Sequence, residues 1–191
     1  MVVKSFLPML TAMLSLACVL AGCKPPKAVS PAESSAALAT RNNCYSLLHQ
    51  LLDQEKDVSF LRFFKKEDSD VKDLVKKIST ASGTGAQLLE KFAKDDPSIR
   101  LDDLRLPPGE VATRDAIAAT EKKELLGKSG EPFELALLLT QTEALNYAWH
   151  LAKVASENEP QPERSRALAG VSEDMENLYH EEFALLLSKA K

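Results

Sequence analysis

Carboxylate and imidazole side chains gather in two segments of the C-terminal half of the chain, where they could bind a metal ion. The first segment carries Glu143 and His150. The second carries a larger set, which consists of Glu173, Glu176, His180, Glu181 and Glu182. Imidazole and carboxylate groups are ligands that suit iron, zinc and manganese. Metal binding, or redox chemistry at a bound metal, is therefore the chemistry that this pattern could support.

The spacing of these residues counts against such a site. Long helices that bear carboxylates resemble the bundles of ferritin-like proteins, whose di-iron sites use inward carboxylates and Glu-x-x-His pairs. None of the three histidines of the chain has a glutamate three residues before it. We therefore predict no cofactor and interpret the charged residues as solvated. A ferritin-like metal-binding or redox bundle is the alternative, and its candidate ligands are Glu143, His150, Glu176 and His180.

Signatures of other catalytic sites are also missing from the sequence. Cys44 falls on an apolar helix face, which is typical of a small core residue rather than of a nucleophile. No serine lies in the Gly-x-Ser-x-Gly context of a nucleophile elbow. The small residues at positions 79–86 lack the lysine and the preceding strand of a phosphate-binding loop. The sequence thus predicts that the protein is not an enzyme, with no catalytic residues.

The longest apolar run beyond the N-terminus spans residues 133–155, and it is the element that must position most of these side chains. Its helical projection is apolar over most of the circumference, so the helix needs neighbours on several sides. Its polar residues form one narrow stripe of Glu143, Asn146, His150, Lys153 and Glu157. The pattern leaves open whether this stripe faces the interior or the solvent.

Helical patterns cover the rest of the chain, and no alternation typical of strands is sustained. We expect a first helix from about residue 36, a short aromatic helical piece near residues 60–64, and longer helices near 70–94, 108–126, 133–155 and 162–188. Two glycines inside 79–86 indicate either a break in the second helix or the close approach of another segment. Residues 97–109 form the longest connection, pinned by Ile99, Leu101, Leu104 and Leu106. The predicted fold is all-α, an antiparallel helical bundle of four to five helices with one longer crossover connection.

The N-terminus has the pattern of a secretion signal. Lys4 precedes an apolar segment, residues 6–20, which is short for a membrane span. The segment ends in Leu20-Ala21-Gly22-Cys23. This motif resembles the lipobox of bacterial lipoproteins, and the resemblance covers residues 1–23 alone. It implies cleavage before Cys23 and lipidation of that cysteine, whose acyl chains would anchor the protein to a membrane.

The resemblance also implies a location and a domain organisation. In envelope lipoproteins of enteric bacteria, a residue other than Asp after the lipidated cysteine goes with outer-membrane rather than inner-membrane transport, and here that residue is Lys24. We expect a signal peptide at residues 1–22, a lipidated cysteine with a flexible Pro- and Ser-rich tether at 23–35, and a single helical-bundle domain at 36–191. The mature chain has a formal charge of about −5, because residues 1–22 contain Lys4 and no acid. This charge disfavours nucleic acid as a partner.

One buried polar pair is predicted from the helical patterns. Glu182 projects into the apolar face of the last helix, where an unpaired charge would be costly. Lys122 lies on the apolar side of the third helix, and counting from the two short connections puts both residues at the level of Leu138. We therefore expect a partly buried Lys122–Glu182 pair.

The sequence favours a lipid-anchored protein of the bacterial cell envelope that faces the periplasm and has a structural or protein-binding role. Its partners would be the membrane, through the acyl chains, and another envelope protein. Besides the ferritin-like alternative, a carrier of small apolar ligands between the helices also fits the pattern.

Overall fold

The computed structural model describes the backbone of residues 31–58 and 68–190 and the side chains from residue 35 onward within those ranges. Five helices account for most of these residues: α1 (Pro31–Glu55), α2 (Ser69–Asp95), α3 (Pro108–Gly127), α4 (Glu131–Asn158) and α5 (Pro162–Lys189). No strand occurs in the described part of the chain. The prediction of an all-α helical bundle is confirmed.

The first helix begins earlier than predicted. α1 starts at Pro31, so the expectation of an extended tether up to Ser35 is wrong for its last five residues. Proline is well suited to the first turn of a helix, because its fixed φ is helical and the N–H that it lacks would be unpaired there. The signal peptide, Cys23 and the short aromatic helix near residues 60–64 lie outside the described residues.

Four of the helices form the bundle, in which α1 packs on α2 and α4, and α5 packs on α2 and α4. Neighbouring helices are antiparallel. In the α4–α5 pair, for example, the Ser156 hydroxyl donates to the Ser165 carbonyl at 2.9 Å, while Ser172 donates to the Trp149 carbonyl at 3.3 Å. The short connection between α4 and α5 requires this arrangement, as the sequence indicated.

α3 lies on the outside of the bundle and packs on α4. None of its residues is buried. Its clearest contact is the hydrogen bond that Arg114 Nη2 donates to the Tyr147 hydroxyl, at 2.7 Å. α4 therefore touches three other helices, as its mostly apolar circumference predicted.

The glycines of α2 are accommodated by close packing rather than by a break. α2 runs without interruption through both glycines. A Cβ atom at Gly85 would lie 2.8 Å from Leu52 Cδ1 of α1, which is too close for ordinary packing. Gly85 thus lets α1 and α2 approach each other, which is one of the two outcomes expected from the sequence.

The connection between α2 and α3 crosses one end of the bundle. Ile99 is buried in the core, and Leu101, Leu104 and Leu106 pack against it, as predicted. Ser46 of α1 donates a hydrogen bond to the Arg100 carbonyl, so the connection is also held through its backbone. Among the described helices, none is long and apolar enough to cross a membrane.

The hydrophobic core consists of two clusters. The larger one includes Leu145 of α4 and Leu178 of α5. The smaller one includes Leu138 of α4 and has Leu185 of α5 packed against it. Between these positions along α4 and α5 lie buried polar residues, and these define the site described next.

Candidate functional site

In the described part of the chain, the predicted metal ligands of α4 and α5 are not brought together as a group of three within 4.8 Å of one another. Glu143, His150 and His180 are exposed and Glu176 is half-buried. His150 Nδ1 lies 2.8 Å from the Asn146 carbonyl of its own helix. The polar stripe of α4 therefore faces the solvent, which answers the question that the helical projection left open.

The predicted Lys122–Glu182 pair is wrong. Glu182 is fully buried, as expected, but Lys122 is exposed on α3, and neither carboxylate oxygen of Glu182 has a hydrogen-bond partner. The predicted height of Glu182 along the bundle was close to the observed one, since the α4–α5 contacts place Glu182 opposite Leu138 and Leu139. The predicted direction around the helix axis was wrong, because α3 packs on the outer side of α4, where Leu125 meets the smaller core cluster but Lys122 is exposed.

Glu182 belongs to a polar layer, which we define as Glu55 of α1, Gln141 of α4 and Glu182 of α5. Gln141 is 4% exposed and lies one turn from Leu138 of the smaller core cluster and one turn from Leu145 of the larger one. Its amide nitrogen donates to a carboxylate oxygen of Glu55. Within the described structure, the Gln141 Oε1 atom and both Glu182 oxygens have no hydrogen-bond partner. Buried polar atoms in native proteins are usually paired, so three unpaired oxygens in one layer are unusual.

Burial dominates the electrostatics of this layer. The pKa of Glu182 is raised to about 9, chiefly by burial and in addition by the negative charge of Glu55. Burial also raises the pKa of Glu55 to about 7, against the lowering effect of the Gln141 hydrogen bond, while Glu121 of α3 adds a smaller raising effect. Glu182 is therefore a neutral carboxylic acid at pH 7.

A second group of possible ligands lies on the surface between α1 and α2. His49, Asp53 and Glu90 each place one potential ligand atom within 4.8 Å of the others, and His49 Nε2 lies 3.3 Å from Glu90 Oε1. Asp53 also binds the Lys56 ammonium group, which competes with any cation. The four-residue spacing of His49 and Asp53 could have indicated this pair from the sequence. Nothing in the sequence pointed to Glu90.

Glu159 is a second buried carboxylate of the bundle, and its oxygens are hydrogen-bonded. Its side chain is fully buried at the α4–α5 connection. It accepts hydrogen bonds from the Tyr45 hydroxyl at 2.7 Å, from the Gln161 backbone N–H at 3.0 Å and from Arg164 Nε at 3.2 Å. Arg41 Nη1 lies 3.8 Å away. Both oxygens of Glu159 are satisfied, in contrast to those of Glu182.

An aromatic surface runs along the outside of α4 and α5, and we define it as Trp149, Tyr179, His180 and Phe183. The Trp149 ring centroid lies 6.0 Å from that of Tyr179 and 6.1 Å from that of His180. The rings of Tyr179 and Phe183 are stacked with centroids 6.0 Å apart. Phe183 is 41% exposed, and Leu187, one turn further along α5, is 53% exposed.

Comparisons with known proteins return nothing that resembles this chain. No protein-family model matches it, and neither the curated proteins nor the solved structures contain a significant match.

Proposed function

We propose that this chain is a lipid-anchored protein of the bacterial cell envelope that faces the periplasm and binds another envelope protein, with no catalytic activity of its own. The observation that carries the proposal is the Leu20-Ala21-Gly22-Cys23 motif directly behind an apolar segment. Acyl chains on Cys23 would provide stable attachment to a membrane. Lys24 favours the outer membrane over the inner one.

The aromatic surface supports the protein-binding part of the proposal. Aromatic side chains are enriched at protein interfaces, because they bury a large apolar area and lose little conformational freedom. Trp149, Tyr179, His180 and Phe183 lie next to one another. Leu139 of α4 is 52% exposed at about the same height as Phe183. Phe183, His180 and Leu139 are exposed, while Trp149 and Tyr179 are half-buried and pack against the larger core cluster.

The anchor is tested by labelling cells with palmitate. We expect label on the wild-type chain and none on the Cys23→Ser variant, which should accumulate as unprocessed precursor. Cys44→Ser is the matched control, since Cys44 is a buried core residue, and it should keep the label. Label retained on Cys23→Ser would refute the lipoprotein assignment.

The binding surface is tested by introducing a photo-crosslinking amino acid at Phe183 in cells. We expect a discrete protein adduct from this position. The control is Lys72, an exposed residue of α2, from which we expect no such adduct. Equal crosslinking at both positions, or none at Phe183, would refute a binding role of this surface.

Metal binding is the second candidate function, and the His49, Asp53 and Glu90 group is the observation that favours it. Imidazole with two carboxylates suits zinc, iron or manganese. Elemental analysis of the purified protein tests this candidate. Near-stoichiometric metal that is lost on His49→Ala would support it, whereas loss on His150→Ala or His180→Ala would support the predicted ligands of α4 and α5 instead.

A further inference from the structure

The polar layer combines oxygen ligands from three helices with unpaired oxygens in the core. Glu182 is fully buried and Gln141 nearly so. The Gln141 amide group is joined to Glu55 through its nitrogen, while its oxygen and both Glu182 oxygens have no partner in the described residues. The Gln141 oxygen can only accept, and both Glu182 oxygens are acceptors once the carboxyl group is ionised, so these atoms can bind a cation or hydrogen-bond donors.

Among the residues that the structure describes, the surroundings of the layer provide no cation of their own. The charged groups that act on Glu182 and Glu55 are carboxylates, namely Glu55 on the first and Glu121 on the second. On α2, the residues of the smaller core cluster are Val71 and Val75, which are apolar. Lys56, next to Glu55 in the chain, is paired with Asp53, and Lys122 is exposed.

We propose that Glu55, Gln141 and Glu182 form a binding site for a hard divalent cation of the Mg²⁺, Mn²⁺ or Ca²⁺ class. Carboxylate and amide oxygens without nitrogen or sulfur are the ligands that these ions prefer. Two ionised carboxylates would balance the charge of one divalent cation. Glu55 lies at the end of α1 and is partly exposed to the solvent. This site shares no residue with the His49 group, and it does not depend on the lipid anchor.

The experiment is calorimetric titration of the full mature chain in detergent, after removal of metal with a chelator, with Mg²⁺, Mn²⁺ and Ca²⁺ at pH 7.5. We expect one saturable site for at least one of these ions. Glu182→Leu and Gln141→Leu should weaken binding by about 10–100-fold or more, while His49→Ala should leave it unchanged.

Three outcomes would overturn the proposal. The first is the absence of saturable binding in the wild-type chain. The second is binding that disappears with His49→Ala but persists in Glu182→Leu, which would move the site to the surface group. The third is binding that neither layer variant affects. Because Glu182→Leu puts an apolar side chain into an apolar face, and Gln141→Leu changes a different helix, the two variants test the site independently of one another.

Discussion

Replacing Glu182 by leucine should stabilise the cation-free protein and flatten the dependence of its stability on pH. The Glu182 carboxyl group is fully buried without a hydrogen-bond partner among the described residues, which typically costs about 1–3 kcal/mol. Leucine removes that cost and adds apolar contacts next to Leu178 and Leu185. We therefore expect the free energy of unfolding at pH 7 to rise by about 1–3 kcal/mol.

The pH dependence has a definite sign. Burial raises the pKa of Glu182 to about 9 in the folded protein, whereas an unfolded chain has a glutamate pKa of about 4.3. Between these values the folded state binds more protons than the unfolded state, so the stability due to this group is complete below about pH 4 and is lost as the pH rises through 9. The loss between pH 5 and pH 9 should be on the order of several kcal/mol. Glu55, whose pKa is raised to about 7, contributes a smaller loss of the same sign.

Urea denaturation in the presence of a chelator at pH 5, 7 and 8.5 measures both effects. The wild-type protein should lose stability steadily over this range, and Glu182→Leu should lose much less. Glu173→Leu is the matched control, because it makes the same change at an exposed position of α5, and it should shift stability by less than about 0.5 kcal/mol. Equal pH slopes for wild type and Glu182→Leu, or a variant that is less stable at pH 8.5, would refute the reasoning.

Two further predictions concern packing and the buried ion network, and urea denaturation tests both. Gly83→Ala should stabilise α2 by up to about 1 kcal/mol, since alanine is the better helix former and its Cβ would make ordinary contact at 3.7 Å. Gly85→Ala should give no such stabilisation or should destabilise the protein. Equal effects of the two variants would contradict the close approach of α1 to α2 at Gly85. Glu159→Gln should cost about 1.5–3 kcal/mol, because it removes a buried negative charge that lies 3.8 Å from buried Arg41 and 3.1 Å from Arg164, which keeps Asp96 as a partner. Tyr45→Phe should cost about 1 kcal/mol. A smaller cost for Glu159→Gln than for Tyr45→Phe would show that the network is not held by charge.

Much of the fold could be predicted from the sequence because helices are local structures. The apolar period of residues 133–155, the prolines near the starts of α3, α4 and α5, and the short connections around α4 depend on neighbours within a few residues of the chain. They were sufficient for an all-α bundle and for the buried position of Glu182. The Leu20-Ala21-Gly22-Cys23 motif, which resembles a lipobox, is likewise local. Its function in this chain stays a prediction.

The partners of the buried polar residues were decided by the tertiary structure. Helical periodicity gives the face and the height of a residue on its own helix, but it does not say on which side a neighbouring helix packs. The sequence could therefore place Glu182 and Lys122 at one level and still be wrong about their contact, because α3 lies outside the core. For the same reason it could not join Glu159 to Tyr45, which is 114 residues away, or bring Glu55 and Gln141 of two different helices to Glu182. Which oxygens remain unpaired depends on how all of these helices pack together, and that is not encoded in any single segment.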